Sequence, residues 1–111
     1  ANGMDGVSLK ISKFAGLTGS KLVRDLADSL GLKVTIEDTW GGDLVTAAVS
    51  HLAASTKPDQ VITVSFMNDW TNEHIADYQP RSKNGIGCVP SGPGLGVDVD
   101  IESLGKPFIV S

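Results

Sequence analysis

Residues 7–37 read VSLKISKFAGLTGSKLVRDLADSLGLKVTIE, and the change of period inside this stretch decides the fold. Val7, Leu9 and Ile11 alternate with Ser8, Lys10 and Ser12. A period of two is a strand with one apolar and one polar face. Leu22, Val23, Leu26, Ala27 and Leu30 then recur at helical spacing. Thr18 offers an N-cap before them and Gly31 a stop after them, so the spacing predicts an amphipathic helix over 19–30. Leu32, Val34 and Ile36 alternate with Lys33, Thr35 and Glu37 as a second strand.

The same unit follows again. Gly41-Gly42-Asp43 supplies a turn, with Asp43 expected as N-cap, and Leu44, Val45, Ala48, Val49 and Leu52 trace a second helix face. Lys57-Pro58-Asp59 breaks that helix. Val61–Phe66 reads as a third strand, with Ile62, Val64 and Phe66 expected on its apolar face. The order β-α-β-α-β with short connections implies parallel strands and right-handed crossovers. The strands recur at an interval of about 27 residues, as repeated βα units would give.

Working outward, the rest of the chain changes character. Residues 68–111 are rich in Gly and Pro. A short helix is expected near Thr71–Tyr78, a short strand at Gly85–Val89, and a constrained loop at Pro90–Gly96. Ile101–Leu104 reads as a helical turn, and Pro107–Val110 as an extended tail. No linker divides the chain, so residues 1–111 are expected to form a single domain, 1–67 as the βα units and 68–111 as a return segment.

Thirteen acidic and nine basic residues give a net charge of −4, with no Lys/Arg run, which argues against a nucleic-acid partner. No apolar run approaches the ~20 residues of a membrane span. The first residues lack a signal-peptide layout, and strand-like sequence already begins at Val7, which suggests a start within a fold. With Cys88 the single cysteine, a cytoplasmic location is the simplest expectation.

All three strands carry a polar face: Ser8, Lys10 and Ser12, then Lys33, Thr35 and Glu37, then Thr63 and Ser65. A doubly wound sheet has helices on both faces and would be apolar on both. A barrel that aims charged side chains from its strand ends into a site accounts for the pattern, with Lys10 and Glu37 near those ends. A sheet with one solvated face accounts for it too, and periodicity leaves both open.

Beyond periodicity, Val7–Thr18 resembles the sixth barrel strand of the mandelate racemase/muconate-lactonizing family of the enolase superfamily. That strand typically reads apolar-x-apolar-Lys-apolar-x-Lys/Arg-x-Gly-Gly-apolar-Thr, and Ala15 departs from the first Gly of the pair. Thr35–Asp43, reading TIEDTWGGD, is similar to the seventh-strand segment of the cis-3-hydroxy-L-proline dehydratase and hydroxyproline-betaine epimerase branch. Pro93–Asp98 is similar to the loop after the barrel. The resemblance implies an α/β fold, a partial (β/α)8 TIM barrel holding the sixth to eighth strands and an irregular C-terminal extension. At 111 residues the chain is well short of the ~250 of a complete barrel.

The resemblance also implies chemistry. A carboxylate substrate would chelate Mg²⁺, and a lysine would remove the proton beside the carboxylate. Lys10 matches the sixth-strand lysine of the family. Glu37, Asp38 and Trp40 would meet the substrate, Trp40 through a cation–π contact with an ammonium group. The family's second-strand lysine, its acidic metal ligands and its capping domain have no counterpart in these residues, so no metal ligand is assigned here and the segment alone is expected to be inactive. Its unpaired outer strands are expected to drive oligomerisation or element swapping.

Each of these residues has a plainer reading. Lys10 and Lys13 can be strand lysines reaching water, Glu37 and Asp38 can solvate a strand end, and Trp40 can simply pack. His51 and His74 lack the Cys/His spacing of a zinc site, and Cys88 has no partner that sequence places beside it. Gly16–Lys21 lacks the residue order of a phosphate loop, and Gly92–Gly96 the spacing of a dinucleotide fingerprint. Three functions stay open: a piece of a dehydratase or epimerase, a non-catalytic self-associating module, and an unrelated β-α-β ligand-binding domain.

Overall fold

The computed structural model describes residues 3–109. Strands β1 (Gly6–Lys10), β2 (Lys33–Glu37) and β3 (Val61–Val64) form one parallel sheet in that order. Helix α1 (Leu17–Ser29) links β1 to β2, and helix α2 (Asp43–Ala54) links β2 to β3. Helix α1 packs on β1 and β2, α2 on β2 and β3, and the helices touch each other, so both cover the same face.

Alternation along the strands sends Leu9, Val34 and Ile36 to that face, where all three are wholly buried. Ile11, Ala27, Val49 and Leu52 complete the core, with Val7, Val23 and Val45 against it. Burying each large aliphatic side chain contributes roughly 1.5–3 kcal/mol. Register aligns the opposite face: Ser8 lies beside Thr35, and Lys10 beside Glu37.

The helix starts differ from the expected ones. Gly16, not Thr18, caps α1, and Gly42 caps α2 so that Asp43 becomes its first helical residue. Ala15 takes the left-handed region (φ 55°) before Gly16, a conformation that disfavours any residue with a Cβ. Only part of the predicted apolar face of α1 meets the sheet. Val23 and Ala27 do so; Leu22, Leu26 and Leu30 stand exposed. The inward position beside them is Arg24, whose guanidinium donates to Ser55 O at 2.8 Å and Thr56 Oγ1 at 3.1 Å. A cation at the carbonyl end of α2 is favourable.

The third strand corrects the predicted phase. Val61 pairs with Val34 and Val64 with Ile36, while an extra residue between them breaks the register. Val61 and Val64 therefore face the helices, and Ile62 is exposed, reaching over Gly6 on the polar side. A β-bulge of this kind shifts every side chain beyond it.

No helix forms at Thr71–Tyr78. A single 3-10 turn occupies Met67–Trp70, and Ala76 instead bridges Val99 in antiparallel sense. Strands β4 (Ser82–Lys83) and β5 (Ile86–Gly87) make a small hairpin. Its turn residues Asn84 and Gly85 both have positive φ (54° and 76°), which Asn-Gly adopts at little cost. His51 Nε2 donates to Leu95 O at 3.0 Å and ties the Gly-Pro loop to α2. A 3-10 turn forms at Glu102–Leu104. The tail through Ile109 is exposed, and its predicted last residue, Val110, lies outside the described residues, as do Ala1, Asn2 and Ser111.

Candidate active site at the strand ends

Lys10 is the last residue of β1 and Glu37 the last of β2, side by side in register. Both leave the sheet on the face away from the helices. Lys10 Nζ lies 3.5 Å from Glu37 Oε1, with side-chain exposures of 35% and 21%. Ser8 Oγ also donates to Glu37 Oε1. An ion pair this exposed adds only ~0–1 kcal/mol to stability. What it fixes is direction: both charged groups are held over the polar face at the C-terminal end of parallel strands, where barrel enzymes place their sites.

Asp38 points elsewhere. It is 6% exposed and accepts hydrogen bonds from Ser12 N (3.2 Å), Ser12 Oγ and Thr39 N (2.6 Å). Burial pushes its carboxyl up, but the donors of Ser12 and Thr39 and the Lys10 charge outweigh that and hold it below the ordinary range. Asp38 thus ties the end of β2 to the turn that follows Lys10.

A concavity of about 330 Å³ opens beside Glu37, lined also by Thr35, Thr63, Asp69, Trp70 and Ser82. The size suits a small ligand. Trp40 sits in the loop after β2, 60% exposed, and is not among the lining residues. Trp70, which sequence reasoning did not single out, is. A larger hollow of about 420 Å³ lies at the outer edge of β3 against α2 and the hairpin, but no ionisable side chain lines it.

A second polar cluster lies behind the concavity. Asp43 Oδ1 accepts from Asn68 Nδ2 (3.0 Å) and His74 Nδ1 (2.8 Å), and Oδ2 accepts from Ile75 N (3.1 Å). Burial pushes the Asp43 carboxyl up, yet those donors hold it below its usual value. Its role is neither N-cap nor open ligand. Sequence had no signal for this cluster, because Asn68 and His74 stand 25 and 31 residues from Asp43.

Among the described residues no three His, Cys, Asp or Glu side chains gather as a metal site. Asp38 and Asp43 each spend both oxygens on the donors named above, and Glu37 Oε1 is held by Ser8 and Lys10. Among the described residues these side chains do not make a cage for Mg²⁺.

A parallel βαβαβ layer with a lysine–glutamate pair at its strand ends is the layout that known proteins decide. Residues 1–104 match the family model described as enolase C-terminal domain-like. The chain belongs to that family. A cis-3-hydroxy-L-proline dehydratase from Roseibium aggregatum is 45% identical over 104 residues, covering 94% of this chain and 28% of that enzyme. A crystal structure of a mandelate racemase/muconate lactonizing enzyme from Roseovarius nubinhibens superposes with a TM-score of 0.88 at 33% identity, over 95% of this chain and 28% of the other. A magnesium complex from the same organism gives 0.87 at 33% identity, over 95% and 29%. This enolase-type domain therefore spans little more than a quarter of its relatives' length, and its fold is a partial α/β barrel.

Proposed function

We propose that the chain supplies the sixth to eighth barrel strands of a longer enolase-superfamily enzyme, with Lys10 as the base that removes the proton α to a substrate carboxylate. The observation that carries this is the placement of Lys10 against Glu37 over the polar face, with the helices on the other side. The free amine of Lys10 takes the proton, and the electron pair of the C–H bond moves towards the carboxylate to form an enolate. Loss of a β-hydroxyl then gives dehydration, and return of a proton to the opposite face gives epimerisation. The name of the Roseibium relative supports dehydration of a hydroxyproline-like acid.

Glu37 holds Lys10 and borders the ligand space. Asp38 is assigned to the strand end, because its oxygens are already bonded. Trp40 stands in the loop above the strand ends, open to a substrate group that enters there. The Mg²⁺ expected of such an enzyme would be held by acidic side chains outside the described residues. Among the described residues no helix is long and apolar enough to cross a membrane.

Exchange of the substrate α-proton for deuterium by the longer protein tests this reading. Lys10→Ala is expected to slow exchange by about 10²–10⁴-fold without unfolding the protein. Undiminished exchange in that variant, or none by the parent with any hydroxyproline or sugar acid, overturns it.

One observation favours a second reading for the isolated chain. Strands β1 and β3 each pair on one side only among the described residues, and Leu22, Leu26 and Leu30 face outward beside β1's helix. A second copy would cover these edges when the rest of a barrel does not.

A further inference from the structure

We infer that His74 and Arg81 are positioning residues, which act from behind the site to hold Asp69 and Trp70 over the ligand concavity. This inference rests on the concavity being the substrate site proposed above. The chain of contacts begins at Asp43, the first residue of α2, with its side chain 1% exposed. His74 Nδ1 donates to it at 2.8 Å. Arg81 Nη2 donates to the other ring nitrogen, His74 Nε2. A guanidinium has no acceptor, so the His74 Nε2 lone pair must be free and the proton must sit on Nδ1. The geometry thereby selects one neutral tautomer.

Arg81 then reaches the turn that faces the ligand. Its Nη1 donates to Asn68 O at 3.0 Å and lies 3.7 Å from Asp69 Oδ1. Ser82 N holds the other Asp69 oxygen at 3.2 Å, and Ser82 Oγ donates to it as well. The turn Met67–Trp70 is thus braced from Asp43 through two side chains, and Trp70 leaves its end 76% exposed. Asn68 is wholly buried beneath it. Its Nδ2 serves Asp43, and its Oδ1 is the one buried side-chain atom without a partner among the described residues. Folded chains leave few such atoms, and each calls for a reason. Turning the amide over would set Oδ1 against the Asp43 carboxylate, so the orientation is imposed by the brace.

The other charged groups near the ring are few. Asp43 faces it from α2, Arg81 from the segment before the hairpin, and Asp69 stands beyond Arg81. None of these acts as a base. Asp43, His74 and Arg81 act on the substrate only through Asp69 and Trp70.

The test uses the longer protein and three readouts. Nitrogen NMR of His74 is expected to show Nδ1 protonated and Nε2 bare; an Nε2–H tautomer overturns the brace. His74→Asn keeps a donor for Asp43 but places no acceptor at the distal position that Nε2 fills for Arg81, and Arg81→Met removes the arm. Each is expected to raise the exchange rate of the Asp69 and Thr71 amides about tenfold while the β1 and β2 amides keep their protection. Each is also expected to lower kcat/KM, per folded molecule, by about 10–100-fold, as misplacement of site groups does. The double variant should match the worse single one, since both break the same arm. Additive losses, or an unchanged turn, overturn the inference. A loosened turn with no α-proton exchange in the parent would instead leave the brace standing and sink the proposed chemistry.

Discussion

Residues 6–64 and residues 65–109 are held in different ways. In the first region Leu9, Val34 and Ile36 are wholly buried between sheet and helices. In the second, the buried residues are Asn68, Ala76, Pro80 and Pro90, while Ile101, Leu104, Phe108 and Ile109 stand in the open. The second region is fixed by hydrogen bonds to carboxylates, Asp43 and Asp69 above all, and by tight turns. The difference teaches where the site's precision comes from. The layered region sets the Lys10–Glu37 pair by register, and the irregular region sets Asp69 and Trp70 by a polar brace.

The sharpest way to break this comparison is to remove equal bulk from both regions. Leu9→Ala empties a core position and is expected to cost about 2–5 kcal/mol. Ile101→Ala, at a position 69% exposed, is expected to change stability by less than about 0.5 kcal/mol. Urea unfolding monitored by far-UV circular dichroism measures both. Equal losses would mean that residues 65–109 share the core after all.

The same contrast sets how much could be read from the residues alone. Periods of 2 and 3.6 are local, so Val7–Ile11, Leu32–Ile36 and both helices are legible, and with them the parallel order. The Lys10–Glu37 pairing follows once two parallel strands are placed in phase. The bulge at Ile62 was not legible: unbroken alternation puts Ile62, Val64 and Phe66 on one face and Thr63 and Ser65 on the other, and only the pairing with β2 shows the extra residue. Thr18 and Asp43 are good caps by type, but glycines one position earlier or more took that role. The brace from Asp43 to His74 and Arg81 joins residues with no common period, so only tertiary structure brings them together. His74 also explains the missing helix at Thr71–Tyr78: Asp43 captures its ring and the next amide, and that holds the backbone extended.

The polar brace gives the second region a dependence on acid that the core lacks. Asp43 has a folded-state carboxyl held below its usual value, against about 3.9 in an unfolded chain. Between those values the unfolded chain binds more protons, so stability falls as pH falls. The stabilisation is complete above pH ~4 and is lost progressively below it as the folded carboxyl protonates. Asp43→Asn is expected to cost about 1–3 kcal/mol at neutral pH, by leaving a donor facing donors, and to flatten the acid limb. Unfolding free energies from pH 7 to pH 2.5 check the limb. Hydrogen exchange then locates the loss, which should fall on residues 67–82 before β1 and β2. An acid limb that Asp43→Asn leaves unaltered would remove the brace from the comparison.

The smallest expected effect on stability concerns the outer stripe of α1, which belongs to the layered region but behaves like the irregular one. Leu22, Leu26 and Leu30 are 65%, 59% and 64% exposed, one helical turn apart on a single line. Natural monomers seldom leave a continuous apolar line of that length uncovered. It adjoins β1, whose free edge offers unpaired backbone groups to a further strand. The isolated chain is therefore expected to self-associate in size-exclusion chromatography. Leu26→Lys, at an exposed position, is expected to shift elution towards the monomer while moving the unfolding free energy by less than about 0.5 kcal/mol. In the longer protein, where preceding βα units would cover the stripe, the same substitution should instead destabilise by the ~2–5 kcal/mol of a core position. A wild-type chain that elutes as a monomer, with the β1 and β3 edge amides strongly protected, would show that the layered region closes on itself and needs no covering partner.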